Sequence, residues 1–228
     1  MTDKEARAAV CEAGRRLYAK NLVAATDGNI SVRLGRDRYI CTPSGVSKGF
    51  MTPEMLVVAD GKGNKIRGGG KVTSEFFTHL AAYEERPDIG AVVHAHPAYA
   101  TALTLAGISM TDAVVPEVIM TLCAIPTTAY ATPGCAEGAD VVRPWIRDYD
   151  AILLDRHGAV TVGKTVFEAY LKMEKLEHTA QVLYAAHCLG RVRTLHTDMV
   201  EKLMACYSGG VSPTPPYPFP LRTKQQGL

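Results

Sequence analysis

The feature that most narrows the folds open to this chain is the run Ile89-Gly-Ala-Val-Val-His-Ala-His-Pro97. It is continuously apolar up to two histidines and closed by a proline, so it reads as a buried strand. Before it, TSEFFTHLAAYEERP reads as a helix from Thr73, stopped at Arg86-Pro87 because proline disfavours helical geometry in the residue before it. After it, AYATALTLAG reads as a helix ending at Gly107.

The remaining segments build around that strand. From Lys4 to Lys20, Ala6, Val10, Cys11, Gly14, Leu17 and Tyr18 recur mostly at three- and four-residue steps, which predicts a helix with one buried stripe. ISVRL and RYICT, separated by GRD, read as an antiparallel hairpin, and LVVAD adds a strand before a GKGNKIRGGGK loop. VVPEVIM and AIPTTAYATPG read as mixed strand and loop. A helix is expected from about Cys135 to Asp148, with Pro144 acting against its second half. AILLDRHGAVTVG reads as two strands broken at RHG, and the longest helical pattern runs from Val166 to about Leu189. The expected fold is α/β: a three-layer α/β/α single domain, residues 1–208, around a mostly antiparallel central sheet. A Pro/Gly-rich tail, 209–228, is expected to be extended or mobile.

Composition bounds the function. The 228 residues carry 25 Lys plus Arg against 23 Asp plus Glu, a formal charge of +2, which argues against an electrostatic grip on nucleic acid. At 47% hydrophobic and 21% charged the chain is globular in composition. Six cysteines form no C-x-x-C pair, and their spacing suits buried thiols in a reducing compartment. No stretch approaches the roughly 18 to 20 apolar residues of a membrane helix, and the charged N-terminal segment lacks the apolar core of a signal peptide. A cytoplasmic protein without a membrane partner is expected.

Chemistry begins with His94-Ala95-His96. Strand side chains at i and i+2 share a face, so both imidazoles converge while Ala95 points away. Zinc takes such donors at about 2 Å, and a catalytic site usually draws three from the protein. His157, at the break between AILL and AVTV, is the best third candidate. Glu75 and His79 share a helix face. Either both are ligands, or His79 is packed and Glu75 is a favourable acid at the helix N-terminus. Three polar turns, Thr26-Asp27-Gly28-Asn29, Thr42-Pro43-Ser44-Gly45 and Thr73-Ser74, offer hydroxyls, amides and backbone N–H groups that together suit a phosphoryl group. No nucleotide-binding glycine loop is present.

The order TDGNISVR, ICTPSGV, TSEFFTHLAAYEERPDIGAVVHAHP, YATPG and RHG resembles the class II aldolase/adducin family, in particular its L-fuculose-1-phosphate aldolase branch, from the first helix to about Tyr207. The resemblance implies one divalent metal per subunit, zinc first, with Mn2+ or Co2+ as substitutes, held by His94, His96 and His157. Glu75 would also sit on the metal in the empty site and act as acid/base, whereas His79 is not a ligand in the family. It implies phosphate contacts at Asn29, Ser44, Gly45, Thr73 and Ser74, with Thr26 adjacent, and a homotetramer with interfacial sites in which Tyr207 reaches a neighbouring subunit. The implied reaction is reversible cleavage of a ketose 1-phosphate to dihydroxyacetone phosphate and an aldehyde. A second family tyrosine has no counterpart, and Glu117 stands nearby in V-P-E-V, as in relatives acting on 5-deoxyribulose or 5-methylthioribulose 1-phosphate. The same metal site also serves dehydratase, pentulose-phosphate epimerase or decarboxylase chemistry, and intact phosphate turns favour a phosphorylated sugar over the decarboxylase. A non-catalytic adducin-like module would have lost the ligands, which this chain keeps.

Overall fold

The computed structural model of the chain describes residues 1–207. The tail expected at 209–228 lies outside them. Seven strands form one sheet: β1 (Asn29–Gly35), β2 (Arg38–Cys41), β3 (Val57–Ala59), β4 (Lys65–Arg67), β5 (Ala91–Ala95), β6 (Ala151–Leu154) and β7 (Gly158–Gly163). Their order is β4-β3-β2-β1-β5-β7-β6, and every pairing is antiparallel. The helices are α1 (Asp3–Ala19), α2 (Phe76–Glu85), α3 (Ala98–Leu105), α4 (Pro116–Thr121), α5 (Glu137–Ile146), α6 (Val166–Leu189) and α7 (Thr197–Tyr207).

Strand alternation produces the layers. Val92, Ile152, Val160 and Val162 meet Ala82 and Tyr83 of α2 and Val142 and Ile146 of α5. Val93, Leu153 and Ile30 turn to the opposite face, where Val10 and Leu17 of α1, Leu103 of α3 and Tyr170, Met173 and Leu176 of α6 cover them. Because β5 is central and both its faces are roofed, it is apolar at every position up to His94, as a doubly buried strand must be. The expected three-layer α/β/α architecture is the observed one.

Four local features differ from the sequence reading. Lys65–Arg67 form an edge strand inside the expected glycine loop; it is fully exposed and so carries no apolar alternation. Pro116–Thr121 are helical where strand and loop were expected, since a proline at the first helical position removes an N–H that would be unpaired anyway. Helix α2 starts at Phe76, not Thr73, because an antiparallel Pro43–Val72 bridge and the Ser44 N–H donating to Lys71 O hold the preceding residues extended. Helix α5 runs over Glu137–Ile146, not from Cys135 to Asp148, and passes through Pro144, which forfeits its own hydrogen bond to the carbonyl four residues back, and the helix ends two residues later. No described helix is long and apolar enough to cross a membrane.

Candidate active site

Strand β5 delivers His94, and His96 just beyond its end, to the α2 side of the sheet, while Ala95 packs into the opposite core. Register then brings in the third imidazole. His94 pairs with Val160 and Ala95 with Ala159, so the β6–β7 turn that carries His157 closes beside the end of β5. The three ring centroids stand 4.8–4.9 Å apart, and one ligand atom from each lies within 4.8 Å of the others. Two glycines permit this approach. A Cβ on Gly28, whose φ is +72°, would lie 2.8 Å from the His94 carbonyl oxygen, and one on Gly158 would collide with the Ala95 carbonyl and stand 2.9 Å from His96 Cδ2.

The donor chemistry suits a divalent cation. His94 Nδ1 lies 3.0 Å from the Ala159 carbonyl, which can only accept, so Nδ1 carries the hydrogen and Nε2 is left to offer a lone pair. That Nε2 is 3.0 Å from His96 Nε2. Two nitrogens on one tetrahedral zinc, each at 2.0–2.1 Å, would be about 3.4 Å apart, so a small adjustment seats an ion between them. Glu75 closes the group, with Oε2 3.1 Å from His94 Nε2 and Oε1 3.4 Å from His157 Nε2, and Asn29 Nδ2 donates to Oε2 at 2.8 Å.

Electrostatics agree with this grouping. Burial works against the charge of Glu75, but His94, His157 and the Asn29 hydrogen bond outweigh it and hold the carboxyl well below the usual range. Burial likewise opposes charge on His94, yet Glu75 and the Ala159 carbonyl carry its pKa upward. Burial, reinforced by the neighbouring imidazoles, lowers His96 to about 4 and also lowers His157, which keeps both in the neutral form a metal requires. The position a proton takes between His94 and Glu75 is the one a cation would take.

Glu75 and His79, four residues apart, have different surroundings. Glu75 lies on the histidines, but His79 is fully buried beneath α2, its Nδ1 2.7 Å from Ser31 Oγ, which also meets Tyr83 OH at 2.9 Å. Burial first, then the nearby His94, pushes His79 down to about 3. Asn29 and Ser31, two apart on β1, therefore align one face of α2 and with it Glu75.

The phosphate candidates converge only in three dimensions. The Ser44 turn is bridged to Lys71-Val72 and thus lies beside Thr73-Ser74, while Thr42 Oγ1 accepts from the Ile30 N–H next to Asn29. Ser44, Gly45 and Ser74 are exposed, as is Thr26, whereas Asn29 and Thr73 are buried. Gly134 of the YATPG loop comes beside Ser74, and the loop lines a cavity of about 20 Å³ with Glu75, Thr78 and His157, room for one water. Glu117 is exposed on α4, which packs on α6 and α7, and is not joined to the cluster by any contact among the described residues; Tyr207 is the last residue of α7. Sequence reasoning missed two neighbours of the site. Asp27 Oδ2 stands 3.4 Å from His96 Nδ1, and Lys48 is buried behind the first two turns. Asp27 was visible as a turn residue, but Lys48 carried no local signal.

Comparison with known proteins matches this arrangement. The profile described as "Class II Aldolase and Adducin N-terminal domain" fits residues 8–184. An L-fuculose phosphate aldolase of Methanococcus maripaludis is 42% identical over 170 residues, covering 75% of this chain and 91% of the relative. A 3-oxo-tetronate 4-phosphate decarboxylase of Haemophilus influenzae is 33% identical over 188 residues, 81% of this chain and 89% of the relative. A 5-methylthioribulose-1-phosphate/5-deoxyribulose-1-phosphate aldolase of Escherichia coli is 35% identical over 185 residues, 75% and 86%. Among solved structures, YgbL from Klebsiella pneumoniae superposes with a TM-score of 0.81 at 31% identity, over 89% of this chain and 99% of that one. From its fold, its histidine cluster and these relatives, the chain belongs to the class II aldolase and adducin family.

Proposed function

We propose that this protein is a divalent-metal-dependent aldolase that cleaves a ketose 1-phosphate reversibly to dihydroxyacetone phosphate and an aldehyde. The observation that carries the reading is the placement of the Glu75 carboxylate 3.1 and 3.4 Å from two of three converged imidazoles. His94, His96 and His157, with Glu75, would hold one divalent ion, zinc in the first place. Such an ion, when bound, supplies Lewis-acid polarisation of the substrate's carbonyl and hydroxyl oxygens.

The chain's own residues do the rest. Asn29, Ser44, Gly45, Thr73 and Ser74, with Thr26 beside them, would anchor the phosphate and so fix the C3–C4 bond over the histidines. Glu75 is ionised beside the imidazoles that depress its pKa, and to take a C3 proton from dihydroxyacetone phosphate in condensation it would leave them, which restores its basicity. In cleavage the electron pair of the C3–C4 bond stays on C3, and the protonated Glu75 returns its proton there. The C4 hydroxyl proton would pass to solvent on the aldehyde side through the Tyr207 hydroxyl of a neighbouring subunit in a homotetramer, the phenol taking it up as it gives up its own, and Glu75 takes the proton it delivers to C3 from solvent. Glu117, on the surface of its own chain, takes part in this reading as a contributor to a neighbour's aldehyde pocket.

The decarboxylase relative from Haemophilus influenzae supports a second reading. Its name specifies a phosphorylated 3-oxo acid, so intact phosphate turns serve either reaction and the preference drawn from them lapses. One experiment separates the two. Ketose 1-phosphates, among them L-fuculose, 5-deoxyribulose and 5-methylthioribulose 1-phosphate, are assayed for dihydroxyacetone phosphate, and 3-oxo-tetronate 4-phosphate for CO2, each with and without chelator. Chelator-sensitive release of dihydroxyacetone phosphate is expected. CO2 release without any aldol cleavage, or cleavage that survives metal removal, refutes the proposal.

A further inference from the structure

Lys48 is the only lysine or arginine buried among the described residues, at 2% exposure. It lies in a short 3-10 turn, Lys48–Phe50, that packs on α1. Its Nζ donates to two main-chain oxygens, Thr26 O and Val46 O, each at 2.6 Å. These carbonyls belong to the two turns that carry Asn29 on one side and Ser44 and Gly45 on the other. An ammonium has three donors, and the third meets no acceptor among the described residues. No carboxylate pairs with it there either; Asp27, itself half exposed, acts on it only at a distance.

An unpaired ammonium out of water costs several kcal/mol, and two neutral carbonyls return only part of that. Burial accordingly pushes Lys48 down to about 8, which still leaves it charged near neutrality. A site that holds such a charge between two exposed, donor-rich turns is built to have an anion complete it.

We propose that Lys48 is a positioning residue of the phosphate cradle, its buried ammonium fastening the Thr26–Asn29 turn to the Ser44–Val46 turn and supplying the fixed positive charge that a substrate phosphoryl group offsets. The inference rests on the phosphate-site reading above, but not on the identity of the bond that is cleaved. It also places a positive charge beside the two turns that the net charge of +2 does not reveal.

The test uses the metal-loaded protein and its Lys48→Met and Lys48→Gln variants, titrated calorimetrically with inorganic phosphate, with thermal unfolding and metal content followed in parallel. Glutamine keeps two N–H donors without the charge, so it separates clamp from charge. Both variants are expected to retain metal and to lose phosphate affinity at least tenfold. The ratio of kcat/KM for a phosphorylated over an unphosphorylated ketose should shrink by a similar factor, whereas a scaffold defect would lower both and preserve the ratio. If neither variant folds, lysine-selective 15N NMR of the wild type decides: the Lys48 Nζ resonance must move on addition of phosphate. Phosphate affinity within twofold of wild type in a folded variant, an unmoved Nζ resonance, or a wild type that binds no phosphate overturns the proposal. Lys48-dependent phosphate binding without release of dihydroxyacetone phosphate would instead remove the aldolase reading and leave this one standing.

Discussion

Replacing Gly158 by alanine tests whether the β5–β7 contact sets the metal site. Gly158 opens β7 and its backbone is not in the left-handed region, so alanine brings no conformational penalty, only a methyl group. That methyl would collide with the Ala95 carbonyl and lie 2.9 Å from His96 Cδ2. Carbon atoms prefer a separation of about 3.5 Å, so relieving the His96 contact alone takes a shift of about 0.6 Å, and the harder clash with the Ala95 carbonyl makes that the least the head of β7 must retreat. Metal–ligand distances hold to within roughly 0.2 Å of their ideal values. The displacement exceeds the tolerance about threefold, and His96 is expected to leave the ligand set. Overpacking of this kind costs about 1–3 kcal/mol of stability. Metal affinity should fall at least tenfold, about 1.4 kcal/mol. Urea unfolding of the metal-free protein measures the first effect, and competition with a chromophoric chelator the second. The two are separable, because overpacking lowers Tm with or without metal, whereas a lost ligand narrows the gap between loaded and metal-free forms. A stable Gly158→Ala protein that binds metal within twofold of wild type would refute the steric argument.

Glu75→Gln should retain metal through the three histidines yet slow solvent-proton exchange into dihydroxyacetone phosphate by about 10²–10⁴, the usual worth of a general acid/base; undiminished exchange removes Glu75 from that role. His79 is held at about 3 in the folded chain against 6.5 when exposed, so below pH 6.5 the unfolded state binds the extra proton and stability falls as pH drops toward 3. Between pH 6.5 and 5, His79 should contribute up to about 1.4 kcal/mol of lost stability per pH unit, read as the difference between metal-free wild type and His79→Asn in urea; equal slopes would contradict it. His157→Ala should weaken metal binding by more than an order of magnitude, while the metal-free sheet, whose hydrophobic clusters do not include His157, unfolds at nearly the wild-type urea concentration.

Much of the site was legible because strand and helix periodicities are local. The two-residue repeat of an extended chain put His94 and His96 on one face whatever the strand packed against, and Val166–Leu189 announced itself as a helix by its length. Short elements escaped notice. Lys65–Arg67 is an exposed edge, and Pro116–Thr121 is a six-residue helix whose opening proline resembles a break. Lys48 is a different case, since a lysine two residues after a turn reads as solvated and only packing against α1 buries it.

The sequence by itself determined which residues could do chemistry and which way each would face along its own strand or turn, because side-chain direction follows from backbone geometry over a few residues. Tertiary structure alone decided that His157 joins His94 and His96 across the β5–β7 register, that Asn29 and Ser31 align Glu75 while His79 stays behind it, and that a buried ammonium binds two loops. Strand register and burial are settled by the packing of segments far apart in the chain, and no local period encodes them.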